Sequence, residues 1–255
     1  MRFVLYNIRY AAGAARNFHL PVPGAGYLRQ TDSNLQRLIH FFEALDPDIL
    51  GLVEVDLGSF RTGTRRNQAE TIAAALGHGA HVFECKYNAK SVHRFIPVLN
   101  KQGNAFITRH SIQNERFHFF SRGMKRLIIE LELENLSIFL VHLSLGYRDR
   151  QRQLNDLQRL ILATPRPVMV AGDFNTFFGE AELYAFLSTT GLLSANLRGQ
   201  PTHPSRSPRR ELDFIFHDPR IVVTGFEVPA VTFSDHLPLV CDFEVRAADA
   251  TASLR

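Results

Sequence analysis

The chain has 255 residues, which fits one large domain or two small ones, and its 45% hydrophobic content is ample for a buried core. The formal charge of +4 reflects 29 basic against 25 acidic residues, a bias too mild for a dedicated nucleic-acid-binding protein but compatible with an anionic substrate. Two cysteines are too few for a disulfide framework, and without a C-x-x-C pair they argue against a thiolate metal site.

Nine segments have the alternating or continuous apolar pattern of β-strands. They are Arg2–Ile8, Asp48–Val55, Asn104–Thr108, Leu127–Glu134, Ser137–Ser144, Val168–Asp173, Leu212–His217, Val222–Val228 and Leu239–Val245. Leu127–Glu134 alternates for most of its length, and Glu134-Asn135 offers a tight turn into the next strand. The pattern predicts an antiparallel hairpin with one face exposed to water.

Four segments between the strands are predicted to be helical. In the first, Asp32 or Ser33 is suited to the N-cap, apolar residues recur at i, i+3, i+4 and i+7 from Leu35, and Asp46-Pro47 ends the pattern. The other predicted helices are Asn67–Leu76, about 149–162, and Glu180–Ser188.

Three long stretches lack any pattern and are expected to be functional or mobile: Ala11–Tyr27, Lys86–Gly103 and Arg198–Arg210. Because no repeat or linker divides the chain, we predict one mixed α/β domain over residues 1–246, with a frayed tail at 247–255. No signal peptide is visible, and the longest apolar runs are too short to span a membrane. With Cys85 and Cys241 as two free thiols, these features favour a cytoplasmic protein.

One strand ends in an informative motif, Gly172-Asp173-Phe174-Asn175. If the strand pattern continues, period-two alternation points the side chains of Asp173 and Asn175 to the same side. A carboxylate beside a carboxamide suits the activation and orientation of a water molecule. Asp and Asn also begin ordinary turns, so the motif has a purely structural alternative.

Other strands end in similar polar residues, namely Asn7, Glu54, His142 and the pair Asp235-His236. Each alone fits a cap, a turn or a hydrogen-bonded core histidine. Asp213 is less easily explained, because it lies among Leu212, Phe214 and Ile215 and a buried carboxylate without a partner is costly. Ligand-binding and catalytic groups favour strand ends in α/β sheets, so the set together indicates a functional site.

Seven motifs occur in one order along residues 2 to 246. They are Tyr6-Asn7-Ile8-Arg9, Pro47–Glu54, Gly103-Asn104-Ala105, Val141-His142-Leu143, Gly172–Asn175, Leu212-Asp213-Phe214-Ile215 and Ser234–Pro238. In sequence and order they resemble those of the endonuclease/exonuclease/phosphatase superfamily. The usual Gln before the metal-binding Glu is Val53 here. The resemblance implies a DNase I-like, four-layer α/β sandwich of two packed mixed β-sheets flanked by helices, with the site where the ends of the sheets converge.

The resemblance also implies a role for each residue. Glu54 resembles the principal metal ligand, assisted by Asn7 and Asp235, and all-oxygen ligands favour Mg²⁺ or Mn²⁺. Asp173 resembles the general base, and Asn175 would orient the attacking water or a phosphoryl oxygen. His142 and His236 would stabilise charge on the phosphate, and Asp213 would orient His236. Arg9 and Asn104 are lesser candidates for phosphate contact.

The implied activity is metal-assisted hydrolysis of a phosphate ester, most readily a phosphodiester, and the substrate stays open. A nuclease would use basic residues near the motifs, and three arginine groups are candidates: Arg61, Arg65 and Arg66; Arg148, Arg150 and Arg152; Arg206, Arg209 and Arg210. A hydrolase of phospholipid headgroups or small phosphate esters is equally compatible, with Phe174, Phe177, Phe178, Phe18 and Tyr27 as candidates for a site lip or for core residues. A non-catalytic scaffold is a third possibility, although none of the main positions is missing. No obligate protein partner is evident.

Overall fold

The computed structural model describes residues 1–14, 31–59, 62, 66–85, 101–123 and 125–246. The parts of the two long loops and the tail at 15–30, 86–100 and 247–255 lie outside these ranges. The strands of the described residues are, in chain order, β1 (Arg2–Asn7), β2 (Ile49–Asp56), β3 (Ala80–Cys85), β4 (Gln102–Thr108), β5 (Asn114–Phe119), β6 (Leu127–Glu132), β7 (Ser137–His142), β8 (Val168–Asp173), β9 (Leu193–Ser194), β10 (Asp213–His217), β11 (Ile221–Glu227) and β12 (Leu239–Val245).

The helices of the same ranges are α1 (Asp32–Leu45), α2 (Gln68–Leu76), α3 (Tyr147–Leu162) and α4 (Tyr184–Thr190), with 3₁₀ turns at Arg9–Ala11 and Glu180–Leu183. Thr31 occupies the N-cap of α1, so Asp32 is its first helical residue and not its cap. The predicted fourth helix is divided, because Glu180–Leu183 is a 3₁₀ turn that precedes α4. In the described ranges, no helix is both long and apolar enough to cross a membrane.

The strands form two six-stranded sheets. The first has the order β11-β12-β1-β2-β4-β3, and the second has the order β5-β6-β7-β8-β10-β9. Each contains one parallel pair, β1 with β2 and β7 with β8, while the other neighbours are antiparallel. A helix connects the two strands of each pair, α1 in the first sheet and α3 in the second. Each pair therefore brings two carboxyl-terminal strand ends to the same edge of its sheet.

Three apolar clusters build the layers. Residues such as Phe3, Leu140 and Ile215 fill the space between the two sheets. A second cluster packs α1 and α2 on the outer face of the first sheet, and a third packs α3 and α4 on the outer face of the second. Two mixed sheets flanked by helices make the four-layer sandwich that the motifs predicted.

The predicted hairpin is present as β6 and β7, paired antiparallel with Ile128 opposite Val141. Neither strand has a solvent-exposed face, however, so that part of the prediction was wrong. Ile129 and Leu131 face the core between the sheets, whereas Ile128 belongs to the cluster under α3. Glu130, which gave the alternating pattern, is buried and is paired with Arg116 and His118.

The apolar patterns do not predict β3, β5 and β9. All three are edge strands: β3 ends the first sheet, and β5 and β9 are the outer strands of the second. Most residues of β5 are exposed, and β9 has only two residues. Edge strands of this kind are short or polar and lack a strong apolar pattern.

Candidate active site

The two parallel strand pairs bring four polar residues to one edge of the molecule. Asn7, His142 and Asp173 are the last residues of β1, β7 and β8, and Glu54 lies near the end of β2. Asn7 Nδ2 donates a hydrogen bond to Asp173 Oδ2 at 3.0 Å. Because Asn7 belongs to the first sheet and Asp173 to the second, the site spans both sheets.

Asp173 lies at the centre of this group and is 2% exposed. Its Oδ2 is 3.2 Å from His142 Nε2 and 3.9 Å from His236 Nε2. Burial alone would raise the pKa of Asp173, but the neighbouring charges of His142 and His236 hold it well below its usual range. The carboxyl group is therefore ionised at neutral pH.

His236 is held by a buried carboxylate. Its Nδ1 lies 2.7 Å from Asp213 Oδ2, which also accepts a 2.6 Å hydrogen bond from Thr202 Oγ1. Since this oxygen is an acceptor, Nδ1 carries a proton and Nε2 faces Asp173. Burial would lower the pKa of His236, but the charges of Asp213 and Asp173 outweigh burial and raise it to about 10. This ring is a cation at neutral pH.

Glu54 has an unusual backbone. Its φ of 58° lies in the left-handed region, which for a residue with a Cβ costs about 1 kcal/mol or more. The β2–β4 register is irregular at this point, between Leu52 and Val55, and the backbone N–H of Glu54 donates to Asn104 Oδ1 at 3.4 Å. Its Oε1 lies 3.9 Å from His142 Nδ1. The irregularity directs the carboxylate towards the other site residues.

The motif at the end of β8 does not continue as a strand. Asn175 has a φ of 52°, so the alternation expected for Asp173 and Asn175 is broken. The backbone N–H of Asn175 donates to Asp173 Oδ1 at 3.1 Å, and its Nδ2 donates to Leu143 O at 3.0 Å. Asn175 is thus joined to Asp173 through its backbone, and its side chain anchors the chain after β7.

Gly172 allows the parallel pair to approach closely before Asp173. A Cβ at this position would lie 1.9 Å from the carbonyl oxygen of Val141 on β7, and φ is +153°. A side chain would therefore push β8 away from β7.

Arg9 connects Asn7 with Asp235. Its backbone N–H donates to Asn7 Oδ1 at 3.1 Å, and its Nε lies 3.4 Å from Asp235 Oδ2. Arg9 is the first of three consecutive residues with positive φ, followed by Tyr10 and Ala11 at 56° and 57°. Asn104, in contrast, is fully buried, and its Nδ2 has no hydrogen-bond partner among the described residues.

Three further residues at the site were missed by sequence reasoning. Lys125, between β5 and β6, places its Nζ against His142 Nε2, and its charge also lowers the pKa of Asp173. His203 lies with its ring centroid 4.8 Å from that of His236, and burial together with the charge of His236 lowers its pKa to about 4. Thr202 and His203 fall in the long unpatterned stretch Arg198–Arg210. The length of that stretch is the feature of the sequence that points to a functional segment there. Nothing in the segment Ser121–Arg126 distinguishes Lys125 from an ordinary solvated charge.

The arginine groups behave differently from one another. Arg150 is fully buried and paired with Glu182 at 2.6 Å, so its prediction as a substrate-facing charge was wrong. The sequence gives no sign that Glu182 would face it. The remaining described arginines of the three groups are exposed: Arg66, Arg148, Arg152, Arg206, Arg209 and Arg210. Arg61 and Arg65 lie outside the described residues.

The candidate lip residues also separate. Phe174 is fully buried against Phe214 and Phe216, whereas Phe178 is 75% exposed. The ring of Phe177 lies under the guanidinium group of Arg210, with 5.7 Å between the ring centroid and Cζ. Phe18 and Tyr27 fall outside the described residues.

The site contains one compact group of metal-ligating atoms among the described residues. One ligand atom each from Asp173, Asp213 and His236 lies within 4.8 Å of the others, and all three side chains are buried. This Asp-Asp-His cluster could hold a metal ion. The same atoms also form the hydrogen bond between His236 and Asp213, so an ion there would compete with that bond.

Comparison with known proteins finds three kinds of similarity. The profile of the Endonuclease/Exonuclease/phosphatase family matches residues 5–236. A UPF0294 protein of Erwinia tasmaniensis is 29% identical over 154 residues, 60% of this chain and 51% of that protein. The matched region thus spans about half the length of this relative.

Solved structures share the fold. An endonuclease/exonuclease/phosphatase from Beutenbergia cavernae superposes with a TM-score of 0.74 at 19% identity, covering 97% of this chain and 72% of the other. The catalytic domain of human Nocturnin, with a bound sulfate anion, has a TM-score of 0.68 at 23% identity and covers 96% of this chain and 93% of its own.

Proposed function

Since the chain belongs to the endonuclease/exonuclease/phosphatase family, whose members hydrolyse phosphate esters, we propose that it is a divalent-metal-dependent phosphodiesterase in which an activated water attacks phosphorus in line with the leaving oxygen. The observation that carries the proposal is the position of Asp173. It is a buried, ionised carboxylate in contact with Asn7 and His142 and 3.9 Å from His236. Groups that can bind a phosphoryl oxygen thus surround a group that can take a proton from water.

Asp173 is the general base in this proposal. A carboxylate with a low pKa is a weak base while two imidazoles face it. An anionic phosphoryl group between His142 and His236 would offset their charge, so substrate binding raises the pKa of Asp173. Proton abstraction is thereby favoured only when the substrate is bound.

His236 supplies positive charge to the phosphoryl oxygens. Its ring is oriented by Asp213 and Thr202, and its Nε2 faces the space beside Asp173. His142, in contact with Lys125, also lies beside Asp173, with its Nε2 3.2 Å from Asp173 Oδ2. Charge that develops on the phosphate meets donors that need no rearrangement.

The donor set fits a hard divalent cation. Glu54, Asn7 and Asp235 offer oxygen ligands, and we assign the ion to them and not to the Asp-Asp-His cluster, whose atoms are already joined by a 2.7 Å hydrogen bond. The left-handed backbone of Glu54 is a strained feature whose effect is to direct a carboxylate into the site. Mg²⁺ or Mn²⁺, when bound, acts as a Lewis acid on a phosphoryl oxygen.

Three residues assist. Arg9 is partly exposed beside Asp235 and can contact a substrate phosphate. The side chain of Asn175 is held by its hydrogen bond to the carbonyl oxygen of Leu143, and it can orient the water or a phosphoryl oxygen. Asn104 is buried under the backbone of Glu54, which suits positioning of the metal ligand better than contact with substrate.

The substrate carrying the phosphate is a nucleic acid, a phospholipid headgroup or a small ester. Exposed arginines, among them Arg206, Arg209 and Arg210, support the nuclease alternative. Arg150 is buried, so it is not available to contact a nucleic-acid phosphate. A non-catalytic scaffold would have no use for an ionised Asp173 opposite two histidines.

The test is hydrolysis of bis(p-nitrophenyl) phosphate with Mg²⁺ or Mn²⁺, with EDTA as a blank, followed by plasmid DNA, abasic DNA, RNA, a phosphoinositide and sphingomyelin. Loss of general-base help should lower the turnover of Asp173→Asn by about 10²–10⁴-fold. The matched control is Asp218→Asn, because Asp218 follows β10 at the end opposite Asp213 and pairs with Arg220. Metal-independent activity, or Asp173→Asn as active as its control, would refute the mechanism. No hydrolysis of any substrate would favour the scaffold.

A further inference from the structure

Three large apolar side chains are exposed beside the site, on the segments that follow β7 and β8. Leu145 is 59% exposed, Tyr147 49% and Phe178 75%. Leu145 comes three residues after His142, and Phe178 comes three residues after Asn175. The rings of Tyr147 and Phe178 meet edge to face with centroids 6.0 Å apart. We call these three residues the apolar lip; grouped exposed apolar side chains mark interaction surfaces.

A buried ion pair holds the lip in place. Arg150 Nη1 donates to the carbonyl oxygens of Ser144 and Leu145 at 2.9 and 2.8 Å. Its Nε donates to Glu182 Oε2 at 2.7 Å, and Glu182 Oε1 accepts from the backbone N–H of Phe178 at 2.9 Å. Both segments of the lip are therefore fixed to the same pair of charges. Its exposure is built into the fold and does not come from a loosely attached loop.

Positive charge lies beside the lip. Arg148 is exposed next to Tyr147, and Arg210 is exposed over the ring of Phe177. The nearby carboxylate of Asp149 lies 3.6 Å from Arg152, which compensates it. Apolar side chains flanked by arginines have the chemistry of a surface that binds anionic bilayers, where the apolar groups enter the headgroup region and the arginines meet lipid phosphates.

The shape of the lip disfavours nucleic-acid bases. Leu145 has no aromatic face on which a base can stack. The two aromatic rings of the lip meet edge to face and leave no pair of parallel faces to enclose a base. An aliphatic side chain with 59% exposure instead suits contact with hydrocarbon.

We propose that the apolar lip inserts into the surface of an anionic phospholipid bilayer and places the site over headgroup phosphodiesters, an inference that rests on the proposed function. In the reaction, the oxygen of water bonds to phosphorus and its proton passes to Asp173. The bond between phosphorus and one ester oxygen breaks, and the leaving oxygen takes a proton from solvent. The products are an alcohol and a phosphate monoester.

The first test is binding without turnover. Asp173→Asn protein is sedimented with vesicles of phosphatidylglycerol and phosphatidylcholine, or of phosphatidylcholine alone. Binding is expected to the anionic vesicles, and Leu145→Gln or Phe178→Ser should weaken it about tenfold or more each. The matched control is Leu162→Gln, since Leu162 is 58% exposed and ends α3, the helix that begins at the lip. Failure of the protein to bind, or lip variants that bind like the control, would overturn the inference.

The second test compares substrates. Lip variants should lower hydrolysis of phosphatidylglycerol in vesicles at least tenfold more than hydrolysis of bis(p-nitrophenyl) phosphate. If they selectively impair cleavage of single-stranded DNA instead, the lip contacts bases and the inference is overturned. If neither ester is hydrolysed while vesicle binding still depends on the lip, the proposed function fails and the membrane surface stands.

Discussion

His236 Nδ1 lies 2.7 Å from Asp213 Oδ2, and this contact fixes the ring nitrogen that His236 presents to Asp173. The Oδ1 atom of Asp213 has no hydrogen-bond partner among the described residues. A buried carboxylate with one unpartnered oxygen is a costly arrangement for a purely structural residue. Its effect is to keep a cation in the centre of the site.

Asp213→Asn is expected to weaken that cation. In the metal-free protein the pKa of His236 should fall from about 10 towards its ordinary value, because the charge of Asp213 no longer opposes burial, although Asp173 and Asp235 still do. In the unaltered protein the pKa of His236 is higher in the folded than in the unfolded state, so protonation of its ring stabilises the fold. This stabilisation is fully present below pH 6.5 and is lost as the pH rises through about 10. ¹⁵N NMR titration of the His236 ring measures the change. A ring that still titrates near 10 in Asp213→Asn would rule out this role.

Lys125→Ala is expected to lower kcat by about 10²-fold with a smaller change in KM, because its ammonium group contacts His142 at the proposed phosphoryl site. Lys125→Arg should recover part of the activity. Steady-state kinetics on bis(p-nitrophenyl) phosphate separate kcat from KM. Arg159→Ala serves as the control, since Arg159 lies on α3 with a 76% exposed side chain; equal rates in the two alanine variants would show that Lys125 is only a surface charge.

Glu54→Gln is expected to raise the metal concentration needed for activity, because an amide is a weaker ligand for a hard cation than a carboxylate. A titration of activity against Mn²⁺ gives the midpoint for the variant and for Glu115→Gln, an exposed residue of β5. The assignment of Glu54 as metal ligand would be withdrawn if both midpoints equal that of the unaltered protein.

Arg150→Met and Glu182→Gln are each expected to destabilise the fold by about 3–5 kcal/mol, because either change leaves a buried charge without its partner. Urea unfolding monitored by circular dichroism gives the free energies. The surface pair Arg220–Asp218 is the comparison, and Arg220→Ala should cost about 1 kcal/mol or less. If the Arg150 variant is as stable as the Arg220 variant, the ion pair does not hold the two segments.

Gly172→Ala is expected to cost about 3 kcal/mol or more, because its Cβ would lie 1.9 Å from the Val141 carbonyl oxygen. Gly79→Ala is the matched control, since a Cβ there has no heavy atom within 4 Å. Urea midpoints of the two variants give the difference. Similar midpoints would mean that β7 and β8 can separate without loss.

Local pattern alone was sufficient to predict much of this protein. Apolar runs located the central strands, and caps and breakers located α2 to within one residue. Polar residues at strand ends predicted a shared edge, because a chain that alternates strand and helix returns each parallel strand to the same edge. His142 and Asp173 meet for that reason, whereas Asn7 reaches Asp173 only because the two sheets pack against each other.

Edge strands and exceptions to the pattern depend on the tertiary structure. β5 is mostly exposed and so lacks apolar periodicity. The local pattern predicts that Glu130 faces solvent, but α3 and the first sheet cover the two faces of its strand. The left-handed backbone of Glu54 and Asn175 has no sequence signature comparable to glycine.

Contacts between residues far apart in the sequence also cannot be predicted from local pattern. Arg150 and Glu182 are 32 residues apart, and Lys125 and His142 are 17 apart on different segments. Whether an arginine faces solvent or a buried carboxylate is a matter of which elements pack together. The sequence by itself therefore determined which polar residues end the central strands, whereas which charged and apolar side chains are exposed beside them follows from long-range packing of the two sheets and their helices.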